Sequence, residues 1–379
     1  MNIVVGGYVA PFPSAGLFWH YAQYLLGFRS LGHEVWYLED SGDEPWGWDL
    51  DRNVEDDLSA YGCAWLAREM EALGLADRWV FRHVPSGRHA GMDAGATAEV
   101  LAAADLFVNV SCVVTPRPEY ERIPDRIAID TDPVFTQIAV ARASPSRWEG
   151  FAEAHTRLFT FGRPPLPAQR HEWLATRQPV CLDRWEPSPP PPDGGLTTVA
   201  TWQSYPPATW EGRSFGTKGD TLAAFAGLPT AMPCPMEVAL GPGAGAEEGA
   251  AALRRGGWRV VDGAAASADS AAYRRFIHGS LGEIGLAKHG YVAGRSGWFS
   301  ERSCAYLASG RPVVAQDTGW SRWLPTGKGL FAFSDAAGAA AAAAEVVDDP
   351  VGHGREARRL VEEHFHSGDV LGDLLERAL

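Results

Sequence analysis

The chain opens with an apolar run, residues 1–5, which breaks at Gly6 and Gly7 into a Gly- and Pro-containing loop ending at Gly16. The apolar positions then switch to helical spacing: Leu17, Phe18, Tyr21, Tyr24, Leu25, Phe28 and Leu31 line one face. Gly32 ends that pattern, and residues 35–38 read as a second strand. The alternation continues with a helix over 55–73, a strand at 79–82, a helix at 97–104, and strands at 105–110, 126–130 and 155–161. Further strands are expected at 197–202, 236–240, 258–261, 312–316 and 329–333, with helices between them. The Ala-rich run 336–347 favours helix by propensity alone, and 354–365 and 369–379 are amphipathic. Such alternation predicts an α/β protein with parallel sheets in both halves.

Proline divides the halves. Residues 186–195 hold too many prolines for a helix or a central strand and read as a semi-rigid linker. The expected division is a domain over 1–185, the linker at 186–195, a second domain over 196–365, and a terminal helix at 366–379. A total of 379 residues suits two domains of about 190 each.

Residues 297–319 carry the most specific pattern: loop, helix, Gly-bounded turn, buried strand, loop. Ser300 and Ser303 fit the helix start, and Gly310 sits where a left-handed C-cap belongs. A polar helix N-terminus offers backbone N–H groups and positive dipole to an anion, to which Arg302 adds full charge. An ordinary αβ unit of a parallel sheet would show similar punctuation.

The phrase Leu307-Ala308-Ser309-Gly310 with Pro312, followed by Asp317, resembles the signature of GT-B glycosyltransferases. The opening resembles theirs too, with a Gly pair, a helix, and then Gly32-His33-Glu34-Val35. The glycines do not fit the spacing of a dinucleotide-binding fingerprint. His20 lies twelve residues before Gly32, as in the retaining family-four type. The inverting family-one type has its catalytic His directly after the loop glycine, where this chain has Leu17. The resemblance implies a GT-B architecture, two facing Rossmann-like domains with a C-terminal helix crossing back onto the first. It implies a donor nucleotide sugar held mainly by the second domain, and no metal or resident cofactor.

On that resemblance, the donor diphosphate falls to Ser300, Glu301, Arg302 and Ser303 at the helix start. Arg213 and Lys218 join them, repeating the family's Arg-to-Lys spacing of five, as do Gly16 and the approach residues Arg295 and Ser296. Two cations would neutralise a diphosphate leaving group. Lys288 shares the approach and ranks below the arginines. Contacts to sugar or acceptor are expected from Trp298, Asp317, Thr318, Gly319 and Trp320, since aromatic faces stack on sugars. On the acceptor side His20 is the catalytic candidate, its imidazole suited to act as base or neutral donor. A hydrogen-bonded core histidine is the alternative. Asp130, in the phrase Asp130-Thr131-Asp132-Pro133, is a second candidate, with Asp132 read as a helix cap and Pro133 at the first helical position.

One departure is serious. The retaining type has two glutamates with seven residues between them, and those places fall on Gly297 and Ala305. Glu301 lies between as a partial substitute, and the stereochemical outcome stays open. A nucleotide-sugar epimerase of the same fold and a non-catalytic sugar-nucleotide-binding protein are the alternatives.

Net charge of −14 leaves no basic field for nucleic acid or anionic membrane. The partners implied are a nucleotide diphosphate sugar and a small-molecule acceptor, with homodimerisation left open. Five scattered cysteines suggest neither a disulfide framework nor a zinc site. No apolar stretch approaches the roughly 18 residues of a membrane span, and no signal-peptide pattern precedes the first strand. A cytoplasmic enzyme of GC-rich bacterial origin is the expectation.

Overall fold

The computed structural model describes residues 1–50, 52 and 54–379. Two parallel sheets organise the chain. The first holds, in spatial order, Leu174–Ala175, Arg157–Thr160, Asp125–Asp130, Leu106–Val110, Asn2–Gly7, Glu34–Asp40, Trp79–His83 and Arg88–Gly91. The last of these, at the edge, runs antiparallel to its neighbour. The second sheet is parallel throughout, in the order Arg259–Asp262, Met236–Gly241, Leu196–Thr201, Gly282–Gly285, Val313–Gln316 and Leu330–Phe333. Central strands such as Leu106–Val110 and Val313–Gln316 are buried at every position, because helices cover both faces. That burial explains why they read as unbroken apolar runs.

Chain order reverses once within each sheet. In the first, Asn2–Gly7 lies between Glu34–Asp40 and Leu106–Val110; in the second, Leu196–Thr201 lies between Met236–Gly241 and Gly282–Gly285. Connections leave such a reversal in opposite directions and open a crevice at the strands' carboxyl ends.

The first helix, Ala15–Ser30, is buried on nearly every side, more than its single apolar face predicts. The terminal helix Ser367–Ala378 covers the remainder. At Gly27 an added Cβ would come within 2.5 Å of Leu371, so only glycine permits this approach. Backbone hydrogen bonds from Val180 to Phe365 (2.7 Å) and from Ser367 to Val180 (2.9 Å) tie the chain's end back to the first half. Among the described residues no helix is long and apolar enough to cross a membrane.

Several elements differ from expectation. The helix expected from residue 55 begins at Ala60, because Val54–Glu55 pairs with Trp48–Asp49 and Ser59 takes a left-handed conformation. The strand expected from 155 begins at Arg157. The short strand Gly282–Gly285 escaped prediction, its two glycines hiding it. Residues between the strand Leu196–Thr201 and the next helix form a hairpin, Ala208–Trp210 with Arg213–Phe215. The Pro-rich segment is held at one point by the buried Arg311. Its guanidinium donates to the Ser188 carbonyl and hydroxyl (2.7 Å each) and to the carbonyls of Pro189 (3.0 Å) and His278 (2.7 Å).

Candidate functional site

The carboxyl ends of strands from the two sheets meet at Asp132. This residue follows the strand Asp125–Asp130, and Lys288 of the second half reaches both its carboxylate oxygens, at 3.0 and 3.1 Å. The Tyr205 and Tyr291 hydroxyls donate to the same carboxylate. Asp132 therefore ties the two halves of the chain together and is not the cap expected of it. The helix Phe135–Arg142 starts from Val134 instead, at φ 78°. Nearby, Trp298 Nε1 donates to the Thr131 carbonyl (3.1 Å), and the Arg163 amide to the Ser296 carbonyl (2.7 Å).

Behind this seam lies a charged cluster from the second half. Lys218 begins the helix Lys218–Ala224 and donates its ammonium to the Leu286 carbonyl. Burial, with the Arg302 and Lys288 charges beside it, pushes Lys218 down to about 7. Arg302 sits in the first turn of the helix Glu301–Ala308, whose Ser300 side chain accepts from the Arg302 amide. Its guanidinium pairs with the fully buried Glu283 (Nε to Oε1, 2.6 Å) and the Val199 carbonyl (2.9 Å). Glu283 ends up with Oε2 buried and without a hydrogen-bond partner. The Glu301 charge is felt at Lys218 and, across the cleft, at His20.

From the first half comes His20, 5 % exposed on the helix Ala15–Ser30. Its Nδ1 lies 2.5 Å from Gln178 Oε1 and its Nε2 3.1 Å from Ser111 Oγ. Thr131 Oγ1 donates to Ser111 Oγ at 2.8 Å. Burial lowers the imidazole below its ordinary value and keeps it neutral at pH 7. Asp130 is fully buried beneath. It accepts from Gln137 Nε2 (2.9 Å), Thr160 Oγ1 (2.6 Å) and the Asp132 amide (2.8 Å), so its carboxylate shapes the turn instead of opening to the cleft.

The remaining expected residues separate by location. Gly16 approaches the Tyr273 ring of the second half, and Ser303 is buried within its helix. Arg213 lies exposed on the hairpin and donates to the Ala293 carbonyl. Arg295 is exposed with a left-handed backbone. The loop after Val313–Gln316 turns its side chains inward: Thr318 Oγ1 donates to the Trp298 carbonyl (2.6 Å), and Asp317 accepts from the Gly319 amide and the Ser321 hydroxyl. Trp320 is 1 % exposed and packs on Phe299. Trp298 stacks near Tyr291, so both tryptophans serve packing. The glycines before the signature helix also have a structural role. A Cβ at Gly290, Gly294 or Gly297 would strike Phe135, Val134 or Arg163 at 2.5–2.6 Å, so close backbone approach here is to the first half of the chain.

Glu283, Ser111, Thr131 and Gln178 were not foreseen. Glu283 sits in the unrecognised strand, and the other three are single polar residues at strand ends or in loops, without a spacing to mark them. Among the described residues no three His, Cys, Asp or Glu side chains converge as a metal site.

No protein-family model matches the chain, and neither does any curated protein sequence. Solved structures do. An alpha-glucosyltransferase in complex with UDP and DNA superposes with a TM-score of 0.59 at 9% identity, over 99% of both chains. HepE from Anabaena, in complex with UDP, gives 0.55 at 11%, covering 100% of this chain and 99% of that one. Sucrose-phosphate synthase from Thermosynechococcus elongatus gives 0.54 at 11%, again over 100% and 99%. The chain has the GT-B fold that these structures share.

Proposed function

We propose that this protein is a glycosyltransferase that moves a sugar from a nucleoside diphosphate sugar to a small-molecule acceptor in the cleft between the two sheets. One observation carries the reading. A cation cluster at the crevice of one sheet, Lys218, Lys288 and Arg302, lies opposite a neutral histidine at the crevice of the other. Sugar transfer needs these two things: stabilisation of a diphosphate leaving group, and a group to accept the acceptor's proton. Fold neighbours that bind UDP support the same reading.

In this scheme the diphosphate meets Lys218 and the start of the helix Glu301–Ala308, with Ser300 and Ser303 beside it. Arg302 adds positive field from behind, partly offset by its pair with Glu283. Arg295 and Arg213, being exposed, belong to the entrance. Closure between the halves excludes water and suppresses donor hydrolysis. The buried carboxylate of Glu283 and the Glu301 charge favour a nucleotide-sugar epimerase as the second reading, since epimerisation uses acidic groups beside the donor.

The test is turnover. Purified protein incubated with UDP-, dTDP-, GDP- and ADP-sugars and a mixed panel of hydroxylated acceptors is expected to release one nucleoside diphosphate and form a new glycoside. Conversion of the donor into its sugar epimer would support the second reading, and an unchanged donor in every case would contradict both.

A further inference from the structure

His20 cannot itself meet a bulky acceptor, because its free nitrogen is covered. The Gln178 amide is oriented by its own donations, from Nε2 to the His20 carbonyl (3.2 Å) and the Pro179 carbonyl (3.1 Å). Its Oε1 therefore faces the ring, and an amide oxygen only accepts. It follows that His20 Nδ1 carries the proton and that Nε2 presents a lone pair to Ser111 Oγ, 3.1 Å away.

Ser111 is built into place. It directly follows the strand Leu106–Val110, at the reversal of the first sheet, and takes φ 62°, with Cys112 at φ 54°. Two consecutive non-glycine residues in the left-handed region are a strained arrangement that the surroundings must enforce. Asn109 enforces it: its buried side chain donates to the Val114 carbonyl (2.8 Å) and accepts from the Val114 amide (3.0 Å), stapling the turn. Ser111 and Thr131 are half-buried where His20 is 5 % exposed, so the hydrogen-bonded chain opens to the cleft at its hydroxyl end.

We propose that Ser111 is the residue that touches the acceptor hydroxyl, with His20 as a positioning residue that takes the proton through it and Gln178 fixing the tautomer. This rests on the transferase reading above. As the acceptor oxygen bonds to the anomeric carbon, its proton passes to Ser111 Oγ and the Ser111 proton passes to His20 Nε2. The bond from the anomeric carbon to the diphosphate oxygen breaks, and its electron pair leaves with the nucleoside diphosphate. The imidazolium returns its proton to solvent after product release. Other titratable groups facing the pair are Tyr21, whose hydroxyl also lies against the Ser111 hydroxyl, and Tyr24, both on the His20 helix and held protonated by burial, and Glu301 of the second half.

A thiol in place of the hydroxyl makes the coupling measurable without any sugar. In the full-length Ser111→Cys variant, iodoacetamide alkylation is followed against pH, with the parent protein as background for its five unpaired cysteines. The thiol at 111 is expected to react half-maximally at least about one pH below an ordinary cysteine, about 8.5, and adding His20→Gln is expected to return it there. Adding Gln178→Glu, which places a carboxylate against Nδ1 and makes Nε2 more basic, is expected to lower it further. That direction is not produced by a merely structural role, and the variant serves if His20→Gln fails to fold. A profile at the ordinary cysteine value, indifferent to residues 20 and 178, would overturn the relay. Turnover of nucleotide sugars judges the transferase reading separately. Where turnover is present, Ser111→Ala is expected to lower kcat by about 100-fold or more with little change in donor KM.

Discussion

Lys218 links the charge pattern to a pH dependence. In the unfolded chain it holds its proton up to about 10.5, and in the folded protein it gives it up near 7. A bound diphosphate favours the ammonium and raises the value again. Binding of a nucleoside diphosphate at pH 8 is therefore expected to take up close to one proton, seen by calorimetry in buffers of different ionisation enthalpy. Affinity should fall by up to about tenfold per pH between 7 and 10. With Lys218→Met the proton uptake disappears. The pair Arg302–Glu283 predicts a different effect. Removing one partner leaves a buried uncompensated charge, so Glu283→Ala should cost about 3–5 kcal/mol of unfolding free energy, read in urea. At this scale the sequence was least legible. His20 and Lys218 stood out by residue type near recognisable glycines. Ser111 and Gln178 acquire meaning only once segments far apart in the chain bring them to one ring.

The glycines of residues 290–297 illustrate what a helix or loop pattern conceals. A glycine-rich run leaves room for something to come close to the backbone, and the fold gives that space to Val134, Phe135 and Arg163. Gly290→Leu should overpack the seam and destabilise by about 1–3 kcal/mol. Gly372→Ala, within the terminal helix and with open space around its Cβ, should stabilise by about 0.5–1 kcal/mol, and thermal unfolding of the two variants checks both signs. Elements with strong apolar runs, such as Leu106–Val110 and Val313–Gln316, were legible because full burial leaves no alternation to misread. The strand Gly282–Gly285 was not, since pairing with its neighbours and not propensity makes it a strand.

For the whole molecule, two reversals of strand order set opposite one another define the cleft, and Asp132 fastens it. Asp132→Ala removes the acceptor shared by Lys288, Tyr205 and Tyr291. The halves should then separate more readily, which small-angle scattering would record as a larger radius of gyration; an unchanged radius would deny Asp132 that role. The two-sheet plan was legible from alternation, the central prolines and the resemblance of both chain ends. The interlocking of the halves was not, because it depends on side chains meeting across the cleft. The central claim, that a nucleoside diphosphate sits there, is tested most directly by thermal unfolding in the presence of UDP, dTDP, GDP, ADP and NAD. One nucleoside diphosphate should raise the melting temperature of the parent protein and lose most of that effect in Lys218→Met; a rise with NAD alone, or with none of them, would contradict the account.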